Sequence, residues 1–150
     1  MYTIEEFDEA KTKVLKYVMY KKRTEQEVKT KFSSVIEENL LEDVITELKE
    51  IGYISDENYI ERAVHEFVAL KNLSIKEIKY KLMAKGVSAK AWDSYLEEHR
   101  EELEEYERKS AENIVLKKIS NTEEQQIRQY LMKKGYASEY IQEAIEKMEE

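Results

Sequence analysis

Proline is absent from the 150 residues, and glycine occurs only at 52, 86 and 135. This scarcity of chain breakers most narrows the fold. A β-rich chain of many tight turns needs more of both residues. Apolar residues recur at helical spacing along nearly the whole length. Ala10, Val14, Leu15, Val18 and Met19 make one stripe, and Leu40, Leu41, Val44, Ile45, Leu48 and Ile51 another. Ile60, Ala63, Val64, Phe67 and Val68 make a third. Trp92, Tyr95, Leu96 and Leu103 continue the pattern, followed by Ile114, Val115 and Ile119, then Ile141, Ala144, Ile145 and Met148. The fold class predicted is all-α.

Shorter helices are marked between the stripes by start signals. Thr24 to Glu27 reads as a capping box, as do Ser74 to Glu77 and Thr122 to Gln125. Ile78 and Ile127, Leu82 and Leu131, Lys85 and Lys134, and Gly86 and Gly135 pair at an offset of 49 residues. Val28 and Phe32 hold the corresponding places at an offset of 50, and Ile36 stands where the glycine would be. A period of this length predicts tandem units, each reading long helix, short helix, long helix. The predicted architecture is three tandem three-helix repeats, at 1–54, 55–102 and 103–150, in an elongated, curved row whose neighbours cover each other's apolar flanks. Gly86 and Gly135 are expected to be left-handed just past the short helices, with Ser88 and Ser138 capping the long helices after them. Gly52 should end one helix and Ser55 or Asp56 start the next. Residues 97–107 carry seven glutamates and no breaker. They are expected to form a solvated face on a helix running between the second and third units.

The chemistry of catalysis is missing from the pattern. Cysteine is absent, which excludes disulfides and thiolate metal sites and suits a reducing compartment. Of two histidines, His65 with Glu66 begins like a zinc-protease motif, but Ala69 stands where its second histidine belongs. His99 reads as a boundary residue. Three isolated glycines cannot make a phosphate loop. No apolar run approaches the about 20 residues of a membrane span, and acidic residues occupy the place of a leader's apolar stretch. The location expected is the cytoplasm. Most of the eleven tyrosines read as rim-of-core packing, with base stacking as the alternative.

The net charge is −8, which argues against a nonspecific duplex binder. Between residues 71 and 90, however, six lysines (71, 76, 79, 81, 85 and 90) face one acid, Glu77. Lys21, Lys22 and Arg23, and Arg128, Lys133 and Lys134, fall at comparable places in the other units. Lys21, Lys22, Arg23, Lys71, Lys76, Lys79, Lys81, Lys85, Arg128, Lys133 and Lys134 are therefore the candidate partner-binding residues. Together they would form a discontinuous basic track meeting an acidic protein surface or a nucleic-acid backbone.

The run Leu48 to Tyr59 (Leu-Lys-Glu-Ile-Gly-Tyr-Ile-Ser-Asp-Glu-Asn-Tyr) resembles the linker motif of the RecX family. That motif carries a leucine, a glycine four places on, an aromatic and an aliphatic residue, then an aspartate and a further aromatic. Arg23 to Val28 is similar to the family's first-repeat opening, Ile78 to Val87 to its second-repeat segment, and Ile127 to Tyr136 to its third. The likeness runs in the right order over essentially the whole chain. It implies a non-enzymatic, cofactor-free regulator of the bacterial recombinase RecA in DNA repair and the SOS response. Such a protein binds the RecA–DNA filament along its groove and dampens recombinase, ATPase and repressor-cleavage activities. It would be a monomer, without a membrane partner, and with single- or double-stranded DNA as a weaker contact. Leu70-Lys71-Asn72-Leu73-Ser74 departs from the Gly-rich, basic segment common there, and the acidity shifts the weight towards a protein contact. The rival reading is a generic helical scaffold, which has no reason to show these motifs in this order.

Overall fold

The computed structural model describes residues 1–149, which form nine helices and no strand. In chain order they are α1 (Ile4–Tyr20), α2 (Glu25–Phe32), α3 (Glu38–Ile51), α4 (Asp56–Leu70), α5 (Ile75–Ala84), α6 (Ala89–Glu98), α7 (Arg100–Lys118), α8 (Glu124–Lys134) and α9 (Ser138–Glu149). The all-α expectation holds.

Local chemistry sets most of the boundaries. At α2 the Thr24 hydroxyl accepts from the Glu27 amide at 3.0 Å, and the Glu27 carboxylate accepts from the Thr24 amide at 3.0 Å. Ser74 and Glu77 repeat this box at α5, at 3.1 and 2.9 Å. Each satisfies amide donors that the first turn leaves free. Gly52 and Gly135 close α3 and α8 at φ +101° and +97°, a conformation that only glycine adopts without strain. Ser55 caps α4, accepting from Asn58 at 3.2 Å.

Two expected caps are displaced by one residue. α8 starts at Glu124 with Glu123 as its cap, and no side chain closes it. Thr122 instead donates to the Asn121 amide oxygen at 2.9 Å. The offset of 49 that relates Ile78 to Ile127 carries Ser74 to Glu123, so a box starting at Thr122 lies one place too early. Likewise, Ser88 caps α6, accepting from Ala91 at 3.0 Å, but α9 begins at Ser138, which lies inside the helix.

Apolar side chains gather into three cores. Val14, Val18, Val28, Phe32, Val44 and Leu48 lead the first; Ile60, Val64, Ile78, Leu82 and Trp92 the second; Val115, Ile127, Leu131, Ile141 and Ile145 the third. Each fully buried aliphatic chain contributes about 1.5–3 kcal/mol. Leu103 and Tyr106, from the amino-terminal half of α7, belong to the middle core, so α7 serves two cores in succession.

Helix does not run unbroken from α6 to α7. His99 leaves helical geometry at φ −121°, ψ 21°. Its ring stacks on Tyr95 at 4.0 Å, and its Nδ1 meets the Tyr95 carbonyl at 2.9 Å. A carbonyl only accepts, so Nδ1 carries the proton there. The accessible surface is 9910 Å² for 17.9 kDa, against about 8,000 Å² for a compact monomer of that mass. The chain is therefore extended. No described helix is long and apolar enough to cross a membrane.

Candidate partner-binding surface at the helix joints

The short helices meet end to end. The Thr24 hydroxyl, while capping α2, donates to the Lys85 carbonyl that ends α5, at 2.6 Å. The Ser74 hydroxyl, capping α5, donates to the Lys134 carbonyl that ends α8, also at 2.6 Å. Both cap residues are fully buried. The amino end of one helix thus faces the carboxyl end of another, the favourable sense for helix dipoles. A carboxylate from the long helix of the next unit completes each joint: Asp56 accepts from the Glu25 amide at 3.0 Å, and Glu107 from the Ile75 amide at 2.8 Å.

Glycine is required at these joints twice over. A Cβ on Gly86 would lie 2.5 Å from the Gln26 Cβ, and one on Gly135 3.0 Å from the Lys76 Cβ, both at positive φ. At the end of α2 no described short helix is seated, and there Ile36 turns into the first core instead.

Glu107 belongs to the run expected to face solvent. It is 4% exposed, and its second carboxylate oxygen accepts from the Ala137 amide at 3.3 Å. Burial raises the pKa of its carboxyl group; the two amide donors oppose that shift and the nearby Glu104 and Glu77 add to it. Beside it, the Tyr106 hydroxyl donates to the Leu73 carbonyl at 2.7 Å and accepts from the Leu73 amide at 3.3 Å. Ser110 and Tyr136 share a hydrogen bond of 2.6 Å. Burial raises the pKa of both Tyr106 and Tyr136.

Each short helix buries only two apolar positions deeply: Val28 and Phe32, Ile78 and Leu82, Ile127 and Leu131. The rest of its surface is free for polar residues. One turn position carries Lys29, Lys79 and Arg128 in the three helices. Lys29 pairs with Glu25 at 3.0 Å and Arg128 with Glu124 at 3.4 Å. In α5, Ile75 stands where those glutamates stand, and Lys79 has no ion pair among the described residues.

The predicted basic residues separate into groups. Lys21, Lys22 and Lys85 line one cleft with Arg62, Glu27 and Glu66. Arg23 is turned inward, its guanidinium 4.0 Å over the Tyr17 ring. Lys71, Lys76, Lys81 and Lys133 are exposed, and Lys79 is half-buried. Arg128 donates to Gln142 at 2.7 Å. Lys134 pairs with Glu77 at 3.0 Å and lines a second cleft with Lys117 and Lys118. Sequence reasoning missed Lys29, Lys31, Lys117 and Lys118. Applying the offset of 50 to Lys79 and Lys81 would have found the first two.

His65 and His99 both line an open cleft between α4 and the start of α7. The described residues contain no group of three side chains able to hold a metal ion. Convergent polar chemistry is spent on holding helix ends together, while cations lie in open clefts and on outer faces. This is the build of an all-helical protein whose cations are left on its surface. The sequence matches no family model. Over 145 residues it is 30% identical to the regulatory protein RecX of Caldanaerobacter subterraneus subsp. tengcongensis, covering 93% of this chain and 71% of that one. Over 96 residues it is 36% identical to the regulatory protein RecX of Finegoldia magna, covering 63% and 47%. The RecX of Staphylococcus carnosus matches at 28% over 139 residues, covering 90% and 52%. The crystal structure of RecX from Lactobacillus salivarius superposes with a TM-score of 0.81 at 24% identity, covering 98% and 99%, and shares the fold. The chain belongs to the RecX family of regulatory proteins. It spans about half the length of the first curated relatives it matches.

Proposed function

We propose that the chain is a non-enzymatic, cofactor-free regulator that binds the RecA–DNA filament and inhibits recombinase activity in DNA repair and the SOS response. The observation that carries this reading is the placement of the cations, together with the family. In a chain of net charge −8, lysines and arginine recur at one register on successive short helices and gather in the clefts beside their joints. An extended row of three units, 1–54, 55–102 and 103–150, suits a long partner such as a filament groove. Contact is chiefly with protein, and single- or double-stranded DNA adds weakly. The regulator acts as a cytoplasmic monomer.

Cosedimentation with RecA filaments on single-stranded DNA tests this. The wild-type chain should pellet with the filament, and reversal of Lys76, Lys79, Lys81 and Lys85 to glutamate should abolish pelleting with helicity intact. Undiminished pelleting of that variant would remove α5 from the contact. Failure of the wild-type chain to pellet would leave only a helical scaffold.

A further inference from the structure

The cleft where the α4–α5 loop meets α7 and α8 differs from its counterpart one unit earlier. At the earlier cleft Glu27 and Glu66 interrupt the cations, and Arg62 lies 3.8 Å from Glu66. The later cleft is lined by Lys117, Lys118 and Lys134 with Asn72, Asn113 and Asn121, around Tyr130, and no described carboxylate lines it. The ammonium groups of Lys118 and Lys134 lie 4.2 and 5.5 Å from the Tyr130 ring centre. Two like charges are thereby held about one aromatic ring. Glu77 balances Lys134, but Lys117 and Lys118 form no ion pair among the described residues.

We propose that this cleft docks a short carboxylate-rich peptide segment of a protein partner. The inference deepens the reading of the chain as a filament regulator and rests on it for the partner's identity. Two features select a peptide over a nucleic-acid strand. Carboxamides both donate and accept, matching a peptide backbone, whereas a sugar–phosphate backbone offers almost only acceptors. Asn113 shows the pattern already, donating to the Lys71 carbonyl at 3.2 Å. Towards the amino end of α7 stand Glu101 and Glu102, exposed and without an ion pair among the described residues, which would repel a long polyanion continuing past the cleft. A segment of a few residues ends before reaching them.

The test is fluorescence anisotropy with a labelled tetra-glutamate peptide and, separately, a labelled deoxythymidine oligomer of equal charge, using the full chain. The peptide should bind, and more tightly than the oligomer. Lys117→Glu with Lys118→Glu should weaken it about tenfold or more, whereas Lys21→Glu with Lys22→Glu should weaken it less than about threefold. Lys117 is exposed and Lys118 half-buried at a helix end, and unchanged circular dichroism would show that the variant folds. Absence of peptide binding, indifference to the Lys117 and Lys118 reversals, or tighter binding of the oligomer would each overturn the proposal. Filament cosedimentation of the same variant separates the two readings. Full pelleting with lost peptide binding keeps the cleft as a peptide site but takes it out of the filament contact. Peptide binding by a chain that never pellets would sink the filament reading and leave the cleft.

Discussion

Where α2 meets α5, the Thr24 hydroxyl reaches Lys85, the Asp56 carboxylate reaches Glu25, and no helix of the first three packs broadly on the later six. Where α5 meets α8, the same two contacts recur as Ser74 to Lys134 and Glu107 to Ile75. To them are added the Glu107 bond to Ala137, the Tyr106 clasp on Leu73, the Lys134–Glu77 pair and the Asn113 bond to Lys71. α7 also packs against both α5 and α6. The difference teaches where the chain can bend. A hydroxyl cap, a carboxylate and a glycine suffice to seat one short helix on the next, but a shared long helix and a buried polar network are needed to weld two cores together. Helices α4 to α9 therefore behave as one body, and the first three helices are held to it through a thinner joint.

The largest test of that contrast removes the two carboxylates. Glu107→Ala removes a buried carboxylate, leaves two part-buried amide donors without a partner and should cost about 3 kcal/mol in urea unfolding. Asp56→Ala, at a half-exposed position, should cost about 1 kcal/mol. Equal losses would break the comparison. The glycines rank second. Gly86→Ala and Gly135→Ala each force an unfavourable φ and a close contact, at about 2 kcal/mol each. The first should relieve its strain by letting α1–α3 separate, seen as faster amide exchange around Thr24 with α4–α9 unchanged. The second should lower the unfolding midpoint of α4–α9 as a whole.

A smaller effect comes from the raised pKa of Glu107. Its folded value lies above its unfolded one, so the folded state holds the proton more tightly. Its contribution to stability is complete below the ordinary glutamate value of 4.5 and is lost as pH rises through the folded value. The stability of the wild-type chain relative to Glu107→Gln should therefore fall with rising pH over that window. A difference that grows with pH would contradict the burial account. Smallest of all, Thr122→Ala should change stability by less than about 0.5 kcal/mol, against about 1–2 kcal/mol for Thr24→Ala. Equal costs would restore the third capping box.

These contrasts mark what sequence could reveal. Core positions were legible because burial at Val28, Ile78 and Ile127, and at Phe32, Leu82 and Leu131, keeps to the helical period in every unit. The glycines at 86 and 135 were legible as helix stops. Their second task, admitting the Gln26 and Lys76 side chains, depends on a helix about 60 residues away. Glu107 was illegible because six other glutamates surround it in sequence, and only the placement of α5 makes that one an amide acceptor. The basic residues were found by density, which detects Lys76 to Lys85 but passes over Lys117 and Lys118, whose isolation comes from the absence of acids across the cleft. Arg23 and Arg128 were chosen for their comparable places in the other units, yet they are tied to Tyr17 and to Glu124 and Gln142.

The central claim, regulation of a recombinase filament, is tested most directly by the single-stranded-DNA-dependent ATPase of RecA, with this chain titrated in at low and moderate salt. The account predicts a dose-dependent fall in hydrolysis at substoichiometric chain, weakened by salt as screening reaches the basic residues. Hydrolysis unchanged at every ratio, with RecA from a related source, would contradict it.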